Sequence, residues 1–396
     1  MLPETVRSPA FMHKHPFLLR LMALVCLVCG VFAAPGFATA GCLRAGTWAT
    51  PDEQGAVPTT ARHVLEAASA ADFILLGEAH NNIAHHLWQL QSLAMLLGVR
   101  NQLVIGMEMF PRRVQPALDR WIAGELTESQ LLQQTDWNRV WGYDPALYLP
   151  ILRFARLNRI PLVALNVDRT LISQTGAKGW AAVAPEQREG VGDPASASDA
   201  YRAFLRQSFE QHGTAEESAF EHFVEAQLVW DRAFAEALSE AARTHPQSIV
   251  VGVIGSGHLR FGYGVPHQLR SMGQQNVLVW LPTSVADQCA WLANIADAVF
   301  GVDDYERDPP ARLGIYLDDT SRGTEILDVQ PGSVAADAGL LKGDRILTAA
   351  GIQIHVSADV IAVVRRQPPG TWLPLTIARD GQTMDVVAKF PTLVPK

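Results

Sequence analysis

Cysteine is scarce: four in 396 residues, too few for the disulfide framework of a small secreted scaffold. Cys26 and Cys29 lie inside an apolar N-terminal run, so their C-x-x-C spacing is accidental, and Cys42 and Cys289 stand far apart. C-x-x-C-H is absent, which excludes covalent c-type attachment. No G-x-S-x-G occurs either, and Gly255-Ser256-Gly257 is not one, so a serine nucleophile elbow is missing. Excess positive charge is lacking as well. The 32 Lys and Arg against 40 Asp and Glu leave a net −8, without the charge that drives binding to nucleic acid. What remains is 48% apolar and 18% charged, the composition of a chain that can bury a core, with room for two to three domains.

The N-terminus reads as an export address. Lys14 and Arg20 precede the apolar run from Leu21 to Ala34, which is shorter than the roughly 20 residues that span a bilayer. Ala38-Thr39-Ala40 then fits a small-x-small cleavage site, giving a signal peptide over 1–40. Thr39-Ala40-Gly41-Cys42 is also an imperfect lipobox, with Thr39 in place of a larger aliphatic residue, so Cys42 stays open as a lipidated first residue. The protein is expected in the periplasm or anchored to the outer membrane, touching lipid only through Cys42.

Over 61–300, short apolar runs alternate with helical stretches. Phe73–Leu76, Leu103–Met107, Leu162–Leu165, Ile249–Ile254 and Val277–Leu281 are nearly continuous in apolar character, as in parallel strands covered on both faces. Ile83, Leu87, Leu90, Ala94 and Leu97 predict a core-facing helical stripe. Phe220, Val224, Phe234 and Leu238 predict another, with Gln227 and Asp231 turned inward on it. The fold class is therefore α/β, a mostly parallel sheet flanked by helices, whose ligands gather beyond the carboxyl ends of the strands. A charged, proline-ended linker occupies 301–312. Beyond it, 313–396 turns to short strands and tight turns, a small β-rich domain of its own.

Two turns share a form. Gly77-Glu78-Ala79-His80 and Gly255-Ser256-Gly257-His258 each place G-x-x-H just past an apolar strand, where glycine permits close backbone approach. Glu108 ends another apolar run, and a buried carboxylate there needs a histidine, an arginine or a metal. His86 follows His80 on the next helix. The bland readings are helix caps and satisfied core side chains; two such turns at equivalent strand ends favour one shared site.

Taken in order, Gly77–Asn82 with His86, Met107–Phe110, Tyr143-Asp144 with Tyr148-Leu149-Pro150, Ala164-Leu165-Asn166, Gln227 with Asp231, and Gly255–His258 leading to Gly262–Pro266 resemble the ChaN-like haem-binding lipoproteins of the Tiki/TraB-type superfamily. Asn81 departs from the family pattern, which has an acidic residue there, and this weighs against a metal role for the turn. The tail resembles a PDZ domain of exported proteases: Leu313-Gly314-Ile315 matches the carboxylate-binding loop, and Gly332–Ile346 the family's most recognisable stretch.

The ChaN resemblance implies haem held in a homodimer, with a tyrosine on iron and a histidine near the propionates. Tyr143, Tyr148 and Tyr263 lie inside matching motifs; Tyr148 and Tyr263 are preferred, with the choice between them open. His86 and His258 are the candidates near the propionates, and Arg169 could pair a carboxylate. The PDZ resemblance implies capture of protein C-termini by Leu313, Gly314 and Ile315, the peptide adding a strand. The alternative is a hydrolase using Glu78, His80, Glu108 and His258, either around a divalent metal or with His80 as a general base oriented by Glu78. A periplasmic adaptor built on the PDZ tail is a second alternative. Binding ranks first, and the reading leans away from catalysis.

Overall fold

The computed structural model describes residues 43–53, 55–210, 216–284, 292–303 and 311–392. The expected signal segment, Cys42, Cys289 and most of the expected linker lie outside the described residues. Among those described, no helix is long and apolar enough to cross a membrane.

Eight strands build the first sheet: β1 (Trp48–Asp52), β2 (Gly55–Thr59), β3 (Phe73–Glu78), β4 (Leu103–Pro111), β5 (Leu162–Asn166), β6 (Ile249–Gly255), β7 (Val277–Ser284) and β8 (Ala298–Val302). They run in the order β2-β1-β8-β7-β3-β6-β4-β5. From β8 to β5 every pairing is parallel, whereas β1 joins β2 and β8 antiparallel. All five expected strands are present. β1, β2 and β8 are additions that carry the sheet past the expected 61–300 span at both ends. Pro51 and Pro58 sit near the sheet's edge, where a missing N–H costs no central ladder bond.

The pleat sorts side chains to two faces. Ile74, Leu76, Ile105, Met107, Val251 and Val253 face one core, shared with Trp121, Tyr148 and Leu152. Phe73, Leu75, Val104, Val250 and Ile254 face the other, shared with Phe234 and Leu238 of the long helix Glu217–Thr244. That helix buries the predicted stripe, Asp231 included, while Gln227 is only half-buried.

The helix Ile83–Val99 corrects the other predicted stripe. Leu87 is 54% exposed and Ala94 is exposed, whereas His86, Gln89, Ser92, Leu93 and Leu96 are buried. The reason is polar. Asn82 caps the helix by accepting from the Ala84 and His85 N–H groups at 2.9 and 3.4 Å, and the helix then turns inward the face whose amide and imidazole bond the end of β3.

The C-terminal module holds β9 (Ile315–Thr320), β10 (Gly323–Val329), β11 (Arg345–Ala349), β12 (Ile352–Gln353), β13 (Trp372–Arg379) and β14 (Gln382–Lys389). All are antiparallel, ordered β14-β13-β11-β10-β9 with β12 on β11. Leu313, Ile326, Leu340, Ile346, Leu373 and Ile377 fill its core with the helix Ser357–Arg365. Buried Asp344 is held by the Arg379 fork at 2.6 and 2.7 Å.

Candidate functional site

Three strands end together at the carboxyl rim. β3 delivers Glu78, its neighbour β6 ends opposite it at Gly255, and β4, on the far side of β6, carries Glu108. The β4–β5 register slips between Met107 and Pro111, an irregularity of the kind that re-aims side chains beside a site.

On one face, Glu78 is a buried carboxylate with a full set of partners. Its Oε1 accepts from the Tyr148 hydroxyl at 2.7 Å and pairs with His80 Nδ1 at 2.8 Å. Its Oε2 accepts from Gln89 Nε2 at 3.0 Å and lies 3.4 Å from His86 Nδ1. His86 Nε2 meets the His80 carbonyl at 3.2 Å. Burial alone would raise the Glu78 carboxyl, but the bonds from His80 and His86 outweigh it and hold the group at about 2. Burial would likewise lower His80, yet its bond to Glu78 raises it. Burial and the Glu78 charge push the Tyr148 hydroxyl far above its ordinary range.

On the other face, Glu108 Oε2 accepts from the Gly255 N–H at 2.6 Å, and Oε1 lies 3.9 Å from His258 Nε2. His258 Nδ1 bonds Asp231 Oδ1 at 2.6 Å, and Asp231 Oδ2 accepts from the Tyr201 hydroxyl at 2.7 Å. Burial would depress His258, but Asp231 outweighs it and raises the imidazole. Asn166 joins this side, its Nδ2 donating to the Glu108 carbonyl at 2.8 Å and its Oδ1 accepting from Trp230 at 2.8 Å.

Gly255 is where the two networks meet. A Cβ built there would lie 3.2 Å from His80 Nε2 and 3.3 Å from Glu108 Oε2, and only 2.8 Å from His80 Cε1. No other residue leaves that space. Glu78, His80, Glu108 and His258 are thus gathered at one rim, as the paired turns imply.

The structure gives Tyr148 and His86 a different place from the expected cofactor contact. Tyr148 has no exposed surface and its hydroxyl serves Glu78; His86 is buried in the same network. Arg169, exposed at the start of the helix Arg169–Lys178, takes no part in either network. Tyr263 is half-buried against the Tyr201 and Phe220 cluster, its ring 5.2 Å from Phe261 and 5.8 Å from Tyr201. Tyr143 is exposed, 5.3 Å from the His80 ring. Gln89 and Tyr201 escaped the sequence reading, and Asn166 entered it only within a matching segment, with no role of its own. Only Gln89 left a signal, a polar residue three positions after His86 in an apolar helix.

A divalent metal finds no cluster: among the described residues, no three His, Cys, Asp or Glu side chains converge as ligands. The oxygens of Glu78 and Asp231 are already spoken for by hydroxyl, amide and imidazole groups. In the C-terminal module, among the described residues, β9 pairs on one side only, with β10. Leu313 is buried and bonds the Ala335 N–H through its carbonyl at 2.9 Å, Gly314 turns with φ +79°, and Ile315 opens the free edge.

A parallel α/β layer with paired imidazole–carboxylate networks at its carboxyl rim, followed by a PDZ-type β module, defines the class. The chain belongs to the ChaN family: the model described as haem-binding uptake, Tiki superfamily, ChaN, matches residues 64–269, and a PDZ domain model matches 311–389. A solved structure of ChaN from Campylobacter jejuni, with cofacially bound haem, is 18% identical and covers 65% of this chain and 98% of that one at a TM-score of 0.49. A serine endoprotease from Yersinia pestis is 27% identical, covering 22% of this chain and 30% of that one at a TM-score of 0.20. A candidate zinc metalloprotease of Brucella suis (strain 1330) is 43% identical over 71 residues, 18% of each chain. The match thus spans less than a fifth of that curated relative's length.

Proposed function

We propose that this protein is an exported haem carrier of an uptake system, with a PDZ tail that holds the C-terminus of a protein partner. The observation that carries the reading is the sorting of tyrosines within a ChaN-family chain. The Tyr148 and Tyr201 hydroxyls are consumed by the buried carboxylates Glu78 and Asp231, whereas Tyr263 stands at the rim on an aromatic surface. Ferric haem takes a hard anionic oxygen as axial ligand and supplies its own iron chemistry. Tyr263 is the residue that would hold the iron, through its phenolate oxygen. The Glu78 and Glu108 networks hold the rim rigid, and the open face is covered by a second copy of the chain. Export, with Cys42 as a lipid anchor, places the carrier where haem enters the cell.

The purified chain mixed with ferric haem should give a tyrosinate-type absorption spectrum that Tyr263→Phe abolishes and Tyr143→Phe retains. A wild-type spectrum from Tyr263→Phe would remove the ligand assignment. For the tail, peptides ending in a hydrophobic residue with a free carboxylate should bind, and amidated versions should bind at least tenfold more weakly. Equal binding of both forms would rule out carboxylate capture by Leu313–Ile315.

A further inference from the structure

Phe261 holds a backbone that a bulky aromatic residue rarely adopts, φ +58° and ψ 10°, in the left-handed region. Such strain persists only where the surroundings over-determine it. Here they do. The Phe261 N–H donates to the Ile295 carbonyl at 2.8 Å. Three residues on, Gly264 packs so tightly that a Cβ would meet the His258 carbonyl at 2.4 Å and Asp231 Oδ1 at 2.8 Å. The turn is therefore pinned to the Tyr201–Asp231–His258 network, whose hydrogen bonds are 2.7 and 2.6 Å long.

The strained residue presents an exposed aromatic ring. That ring stacks on Tyr263 at 5.2 Å and 30°, while Phe204 meets both edge-on at 6.2 and 6.3 Å. A relaxed turn would leave Tyr263 without this stacked ring. We infer that Phe261 is a positioning residue for Tyr263: the pinned turn clamps the tyrosine ring between Phe261 and Tyr201, holding its hydroxyl outward for the iron of a ferric porphyrin. The buried Asp231–His258 pair then serves as the anchor of this clamp, not as a contact to the cofactor. The inference rests on the reading of Tyr263 as the axial ligand and adds what orients it.

The test uses the full chain, titrated with ferric haem and, separately, with iron-free protoporphyrin. Phe261→Gly suits the left-handed backbone, so it should fold and melt at or above wild type. Its haem affinity should fall about tenfold and its tyrosinate bands should weaken, while iron-free protoporphyrin, which has no iron to ligate, binds within about threefold of wild type. Phe261→Trp, which keeps a stacked ring without adding a phenol, should retain the bands. A wild-type haem spectrum and affinity in Phe261→Gly, with Tyr263→Phe still losing the bands, would overturn the clamp and leave the ligand assignment standing. If Tyr263→Phe keeps the bands, the ligand assignment falls and takes the clamp with it.

Discussion

Tyr148→Phe separates two roles that one residue could hold, and the structure assigns a magnitude. The change deletes a single oxygen and keeps the ring that packs in the core. The lost hydroxyl donates to Glu78 Oε1 at 2.7 Å and lies 3.3 Å from the His80 carbonyl. A hydrogen bond to a charged group contributes about 1.5–3 kcal/mol. Glu78 keeps Gln89 and two imidazoles, so it is not orphaned, and the lower end applies: about 1.5–2 kcal/mol, or roughly 3–8 °C in the melting of a unit of this size. The pH dependence has a definite sign. Glu78 is held at about 2 against an ordinary 4.5, so its stabilisation is complete above pH 4.5 and is lost as pH falls towards 2. In Tyr148→Phe the carboxyl titrates higher, so acid unfolding should begin at a higher pH. The gap between variant and wild type should be constant from pH 6 to 8 and narrow in acid. His80 works the other way: its contribution is complete below pH 6.5 and is lost above it, as pH rises through the raised value of the folded state. Denaturant unfolding across pH, followed by intrinsic fluorescence, reads all of this. The haem spectrum of the variant should be that of wild type. Unchanged stability, or a lost tyrosinate band, would refute the argument.

Gly255→Ala should cost about 1–3 kcal/mol in the same unfolding assay, because its Cβ would press 2.8 Å from His80 Cε1. Leu87→Gln should leave stability within about 0.5 kcal/mol, since Leu87 is 54% exposed. Leu93→Ala, on the buried face of the same helix, should cost about 2–5 kcal/mol; similar losses from both would contradict the helix orientation.

The parallel core was legible because strands covered on both faces must be continuously apolar, and β3 to β7 are. β1 and β2 were not, because short strands at the margin of the sheet carrying Pro51 and Pro58 look like turns, and β8 lies at the start of what reads as a linker. The stripe Ile83–Leu97 misled for a different reason. Apolar periodicity states which helix face is greasy. Here hydrogen bonds from Gln89 to the Leu76 and Gly77 carbonyls, at 3.3 and 3.2 Å, decided which face turned inward. A polar face that satisfies strand-end groups outcompetes an apolar one that can rest half-buried beside its neighbours.

The site shows the same division between what is local and what is not. Glu78, His80, Glu108 and His258 each end or follow an apolar run, and that position alone predicts the rim. Their sorting into two networks follows from pleat parity: Glu78 falls on the side of Ile74 and Leu76, Glu108 on that of Val104. Each histidine meets a different acid, His80 with Glu78 and His258 with Asp231, and the missing side chain of Gly255 leaves the space in which His80 and Glu108 approach. No period connects Tyr201 to Asp231 across thirty positions, or Tyr148 to Glu78 across seventy. Those two hydroxyls donate to the buried carboxylates of Glu78 and Asp231, which turns both of them inward and leaves neither tyrosine available as an outward ligand.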